Sequence, residues 1–149
     1  MKYENRAGFT LMEIALVFGL FAVVGVLTLP LGIESYRNYL MSYEVRNLVS
    51  VIRRAENLSI TQAHSTSYGV ALLPNDFVIF QGSSYVSRNP SFDEMYDRSS
   101  AVNVTTTPPI SEIVFAPISG LPNATATFFL SNELNTLSVD LNSQGVLNW

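Results

Sequence analysis

The sequence contains no cysteine. That excludes disulfides, thiolate metal sites and cysteine nucleophiles, so a secreted domain built from it must stand on its own core. There is one histidine, His64. It falls at the expected helix-to-sheet junction and reads as a polar junction or capping residue, because a metal or catalytic site needs convergent partners. Charged residues make up only 13% of the chain and the net charge is -4, which argues against a large phosphate-binding footprint. The region after Ser99 holds no lysine or arginine at all. No glycine-rich phosphate loop, no HExxH helix and no nucleophile signature is present. The chain therefore reads as non-enzymatic, with no cofactor and no metal.

Hydrophobic residues reach 48% and are concentrated near the N-terminus. From Phe9 to Ile33 the only charge is Glu13, and from Ile14 to Ile33 there is none. As a helix, that charge-free run is about 30 Å long, the thickness of a bilayer core. A domain of 149 residues has little capacity to bury a helix so apolar on every face. The run is read as a membrane span, with Lys2 and Arg6 on the cytoplasmic side and the C-terminal portion outside.

From Glu34 to about Ala63 there is neither glycine nor proline. Val45, Leu48, Ile52, Ala55 and Ser59 recur at spacings of three and four, a helical stripe. Glu44, Arg46, Arg53, Arg54 and Glu56 read as the solvated face. One helix from about residue 10 to about residue 63 is expected. Beyond it the period falls to two. Strands are expected at Ser67–Leu72 and Phe77–Gln81 around the turn at Pro74-Asn75-Asp76. Residues 82–111 read as a long polar loop with one irregular strand near Val102–Thr105. Further strands follow at Glu112–Ala116, Ala124–Leu130, Thr136–Leu141 and Val146–Trp149. The expected fold class is α+β, a long helix covered by a small antiparallel sheet. Asp93, Glu94 and Asp97 lack the ligand density of a calcium loop and read as a solvated acidic loop.

The informative stretch is Arg6-Ala7-Gly8-Phe9-Thr10-Leu11-Met12-Glu13-Ile14. An ordinary secretory signal is cut after its apolar region. Here the plausible cut lies before it, after Gly8, where a missing side chain suits a protease approaching the backbone at a membrane surface. Such a cut keeps the span and creates a cationic amine at Phe9. An isolated carboxylate in a membrane helix costs about 2.5–3.5 kcal/mol on insertion scales. No lysine or arginine lies between Ala7 and Tyr36, so the nearest positive charge for Glu13 is that new amine. The pair could form within one chain, neutralising the site, or between chains, fixing the stagger of neighbouring helices.

Gly8-Phe9-Thr10-Leu11-Met12-Glu13 before a long apolar run resembles the prepilin cleavage motif of type IV pilins and pseudopilins. The resemblance implies cleavage after Gly8 and N-methylation of Phe9 by a prepilin peptidase, with the charge on the amine retained. It also implies that Glu13 pairs with the Phe9 amine of a neighbouring subunit during filament assembly. Pro30 falls where many pilins carry a helix-breaking proline; a membrane-exit boundary is the alternative reading of it. A second resemblance, to GspH/FimT-like minor pseudopilins, rests on Val45-Arg46-Asn47-Leu48 through Arg54-Ala55-Glu56 to Ala63, the strand that follows, and Ser138 to Val146. An arginine often follows the turn glycine in that family; Val146 stands there in this chain.

The implied organisation is a leader at 1–8, a transmembrane assembly helix at 9–33, an amphipathic helix at 34–65 and a β-rich head at 66–149. The implied location is the bacterial inner membrane, single-pass with the head outside, and then a pilus or pseudopilus. The implied partners are the prepilin peptidase, other pilins or pseudopilins and an inner-membrane assembly platform. Nucleic acid is opposed by the acidic balance. The alternative reading is a membrane-anchored pilin-like binding module of a DNA-uptake or adhesion machine.

Overall fold

The computed structural model describes residues 8–61 and 66–149, except for the side chains of residues 27–32. Residues 1–7, with Lys2 and Arg6, and residues 62–65, with His64 and Ala63, lie outside the described residues. The chain divides into two units, Met1–Tyr36 and Arg37–Trp149.

Helix α1 spans Leu11–Ile60 and continues through Pro30, whose side chain lies outside the described residues. In the first unit its side chains are exposed: Leu11 is 87% accessible, and Met12, Leu16, Phe18, Phe21 and Val26 are also open. Among the described residues no helix is long and apolar enough to cross a membrane. The charge-free run Ile14–Ile33 of the sequence passes through residues 27–32, beyond the described side chains.

In the second unit the helical stripe is buried as its spacing requires. Met41, Val45, Leu48, Ile52 and Ala55 join one core with side chains from two antiparallel sheets. The first sheet has the order β3-β2-β1-β5 and the second β4-β6-β7-β8. Their strands are β1 (Tyr68–Leu72), β2 (Asp76–Gln81), β3 (Glu94–Asp97), β4 (Asn103–Thr107), β5 (Glu112–Phe115), β6 (Ala126–Ser131), β7 (Thr136–Leu141) and β8 (Leu147–Asn148).

Two sheets stand where the sequence reading expected one. Alternation sets which side chains face the core but not which strand pairs with which. Strand β4 pairs with β6, Thr105 opposite Phe129, and so belongs with the C-terminal strands rather than with β1 and β2. The two sheets also differ in their faces. The second follows the alternation rule: Phe128, Leu130, Val139 and Leu141 point inward, while Thr127, Phe129 and Ser138 point out. The first is buried on both sides. Val70, Ile79 and Ile113 face the helix, while Ala71, Val78, Phe80 and Val114 form a second small cluster closed by Leu73 and Tyr85.

The segment covering that second cluster lies in the stretch read as loop. Tyr85 stacks edge-on against Phe80 at 5.6 Å, and the Arg88 guanidinium lies 3.6 Å from the Tyr85 ring centroid. A 3-10 turn at Pro90–Phe92 leads into β3, a strand the sequence reading did not contain. Its four residues, Glu-Met-Tyr-Asp, carry too short and too acidic a pattern to read as a strand. They are held by tertiary partners, with Tyr96 in register with Phe77.

Ser59 closes the helix end. Its hydroxyl oxygen accepts from the Tyr68 amide at 2.9 Å and its proton is within reach of the Phe115 carbonyl at 3.1 Å. Two turns pack beside this end in left-handed conformations that only glycine adopts at no cost: Gly120 at φ 65° and Gly145 at φ 81°. A Cβ on Gly145 would stand 2.8 Å from a Glu56 carboxylate oxygen.

Candidate functional site

The residues singled out by sequence meet at the start of α1. Gly8, Phe9 and Thr10 precede the helix. Thr10 is its N-cap: its hydroxyl accepts from the Glu13 amide at 3.2 Å. The Thr10 carbonyl accepts from the Glu13 and Ile14 amides at 3.1 and 3.2 Å. These contacts satisfy donors that a helix start otherwise leaves orphaned. The pattern Thr-x-x-Glu is a known helix-start signature, and it was legible in the sequence; the reading of Thr10 as part of a processing motif passed over it.

Among the described residues, no heavy atom outside its chain neighbours would lie within 4 Å of a Cβ built on Gly8. Phe9 is 80% exposed. Phe9, Glu13, Ile14, Val17 and Phe18 line an open, mostly apolar concavity of about 250 Å³. Phe9 and Glu13 thus share one side of the helix start, and Glu13 is the only charge on that wall. A carboxylate there is also favoured by the positive end of the helix dipole. Among the described residues the Glu13 carboxylate has no hydrogen-bond or ion-pair partner.

A second carboxylate on the same helix behaves in the opposite way. Glu44, placed on the solvated face by sequence, is 0% exposed. Arg98 reaches it from the segment between β3 and β4, Nε to Oε1 at 3.4 Å, and the Ser99 amide donates to its other oxygen at 3.3 Å. Arg98 also donates to the Leu73 carbonyl at 2.6 Å and lies 4.8 Å from the Phe77 ring. The pair ties helix, β1–β2 turn and β4 approach together. Helical periodicity cannot foresee an arginine arriving from 54 residues away.

Two of the three acids in the acidic loop have partners, while Asp97 is exposed. Arg88 pairs with Asp93 at 2.8 Å. Arg54, from α1, makes a two-pronged contact with Glu94, and the Tyr96 hydroxyl donates to the same carboxylate at 2.9 Å. The Arg54 hydrogen bond is the main influence holding the Glu94 carboxyl below its ordinary range. Glu56, beside Gly145, is pushed up by burial, an effect Arg53 partly offsets. Among the described residues no group of three or more His, Asp or Glu could hold a metal ion. His64 lies outside the described residues, as does the side chain of Pro30.

No known family profile matches the sequence, and no curated protein matches it. A crystal structure of the type IV minor pilin FimU of Pseudomonas aeruginosa is similar, with a TM-score of 0.60 at 13% identity. The similarity covers 76% of this chain and 90% of that one. The chain therefore shares the α+β architecture of that pilin, a long N-terminal helix packed on antiparallel β-structure.

Proposed function

We propose that this chain is a non-enzymatic filament subunit, a minor pilin or pseudopilin of a type IV pilus or type II secretion pseudopilus. A prepilin peptidase cuts after Gly8 and methylates the new Phe9 amine. The run Ile14–Ile33 then holds the subunit in the inner membrane with the head outside, until an assembly platform passes it into a filament of like subunits.

The observation that carries this reading is the Glu13 carboxylate, without a partner among the described residues, on an exposed apolar helix start. Side chains as apolar as Leu11, Phe18 and Phe21 are not left in water at such exposure; they call for lipid or neighbouring helices. In either setting a lone carboxylate is costly, and a cationic Phe9 amine four residues away in sequence is of the right sign and height to answer it. Pairing with the amine of the next subunit would set the axial stagger between helices. Pro30 removes one backbone hydrogen bond and gives the helix a point at which to adjust.

Glu13→Ala tests it. The expected result is a full-length protein that is still cut after Gly8 and still membrane-associated, but that fails to enter filaments. Normal incorporation of the variant would sink the pairing argument. Retention of residues 1–8 in the working form, read by mass spectrometry, would remove the amine itself.

A further inference from the structure

Four strands lie at sheet edges: β3 and β5 in the first sheet, β4 and β8 in the second. Natural edges are blunted by charge, proline, shortness or cover, because an open edge templates pairing with another chain. Three of the four are protected. Strand β3 carries Glu94 and Asp97. The free side of β5 is covered by residues 121–123, through Asn123 N to the Val114 carbonyl and Ala116 N to the Leu121 carbonyl, both 2.9 Å. Strand β8 is two residues long.

Strand β4 is the least protected: only at Thr106 is it met, where the hydroxyl donates to the Ile110 carbonyl and accepts from the Ile110 amide at 3.2 and 2.9 Å. Its sequence, Asn-Val-Thr-Thr-Thr, holds no charge and no proline. It pairs with β6 on one side, and among the described residues its other side takes no backbone hydrogen bond. That side opens into a cleft of about 460 Å³. Asn103, Val104, Thr105 and Thr106 all line it. Consecutive strand residues point to opposite faces, so four in a row can border one cleft only if the strand's edge looks into it.

We infer that this edge is a binding site for a single extended, uncharged peptide segment from another polypeptide, added as a strand beside β4. Leu72, Leu73 and Pro74 line the same cleft. The charge in the lining is Arg98, whose side chain is 7% exposed and already committed to Glu44 and to the Leu73 carbonyl. A charged insert would therefore find no partner. Leu72, Val104 and Ile110 offer apolar contacts to alternate side chains of the incoming strand. Backbone hydrogen bonds supply the attraction and these contacts the register. The inference goes beyond the assembly reading and is independent of it, since it concerns the head alone.

The test uses the purified full chain in detergent and two capped hexapeptides of alternating valine and threonine, one beginning with valine and one with threonine, each at up to about 1 mM, where even a weak site is half filled. Amide hydrogen exchange is followed with and without peptide. The expected result is saturable protection of residues 103–107, with exchange slowed about tenfold or more, and no change at β3 or β8. Asn75→Trp and Ser100→Trp, both at exposed positions on the cleft rim, should each weaken that protection about tenfold while leaving the melting temperature in place. If neither peptide protects β4, if β8 is protected equally, or if both well-folded rim variants bind as the parent does, the inference is wrong. Glu13→Ala should leave the peptide result unchanged, so failure here and failure of the filament reading are told apart.

Discussion

Two stretches of one helix carry a carboxylate each, and the surroundings could hardly differ more. Glu13 sits on an exposed apolar wall with no partner among the described residues, whereas Glu44 is fully buried and held by Arg98 and the Ser99 amide. Both break the local hydrophobic pattern. One is answered inside the fold; the other has no partner among the described residues, as the proposed pairing with another subunit requires. The presence of a partner within the fold separates the structural acid from the one proposed to act in assembly.

The strongest way to break this contrast is to remove the buried acid. Glu44→Ala strands the Arg98 guanidinium in the core and should cost about 3–5 kcal/mol, read as a lowered melting temperature or denaturant midpoint of the head. Glu13→Ala, by contrast, should move that midpoint by less than about 0.5 kcal/mol, since Glu13 is exposed and belongs to the other unit. Equal destabilisation by the two would erase the distinction.

A smaller effect is expected at the helix start. Thr10→Ala deletes the cap and should weaken the first turn by about 1 kcal/mol, giving roughly fivefold faster amide exchange at Glu13 and Ile14. The head midpoint should not change.

The smallest concerns Glu94, an acid midway between the two, exposed but paired with Arg54. Its folded pKa is depressed, mainly by the Arg54 hydrogen bond, so its contribution is present above the ordinary carboxylate range and disappears as pH falls below about 4.5. Solvent limits the contribution to about 0.2–1 kcal/mol. Glu56 runs the other way: burial raises its pKa, so protonation on acidification relieves a cost. Comparing melts of the parent and Glu94→Gln from neutral to acid pH isolates the first. The difference between them should close at low pH, and a gap that persists would mean that the pair contributes through packing instead.

Much of this was legible in the residues, and the failures share a cause. The spacing of Val45, Leu48, Ile52, Ala55 and Ser59 set the buried stripe of the helix, and all five are buried. The hairpin around Pro74-Asn75-Asp76 and the strands after Glu112 followed from turn chemistry and alternation. Glu44 was misplaced because its partner comes from a remote segment, and helical spacing carries no information about such a visitor. Strand β3 and the cover at Tyr85 were missed for the same reason, being held by Phe77, Phe80 and Arg54 rather than by local pattern. At the candidate site the motif singles out Gly8, Phe9 and Glu13, and the structure adds Thr10 as the cap of the helix start. The closed second face of the first sheet had no signal, since a polar segment over a small apolar patch looks in sequence like any loop.

Ser59 has a mechanical consequence. Through one hydroxyl it grips the Tyr68 amide and the Phe115 carbonyl, so the helix end is fastened to two neighbouring strands at once. A tug on the helix end is therefore passed to both strands from the outset.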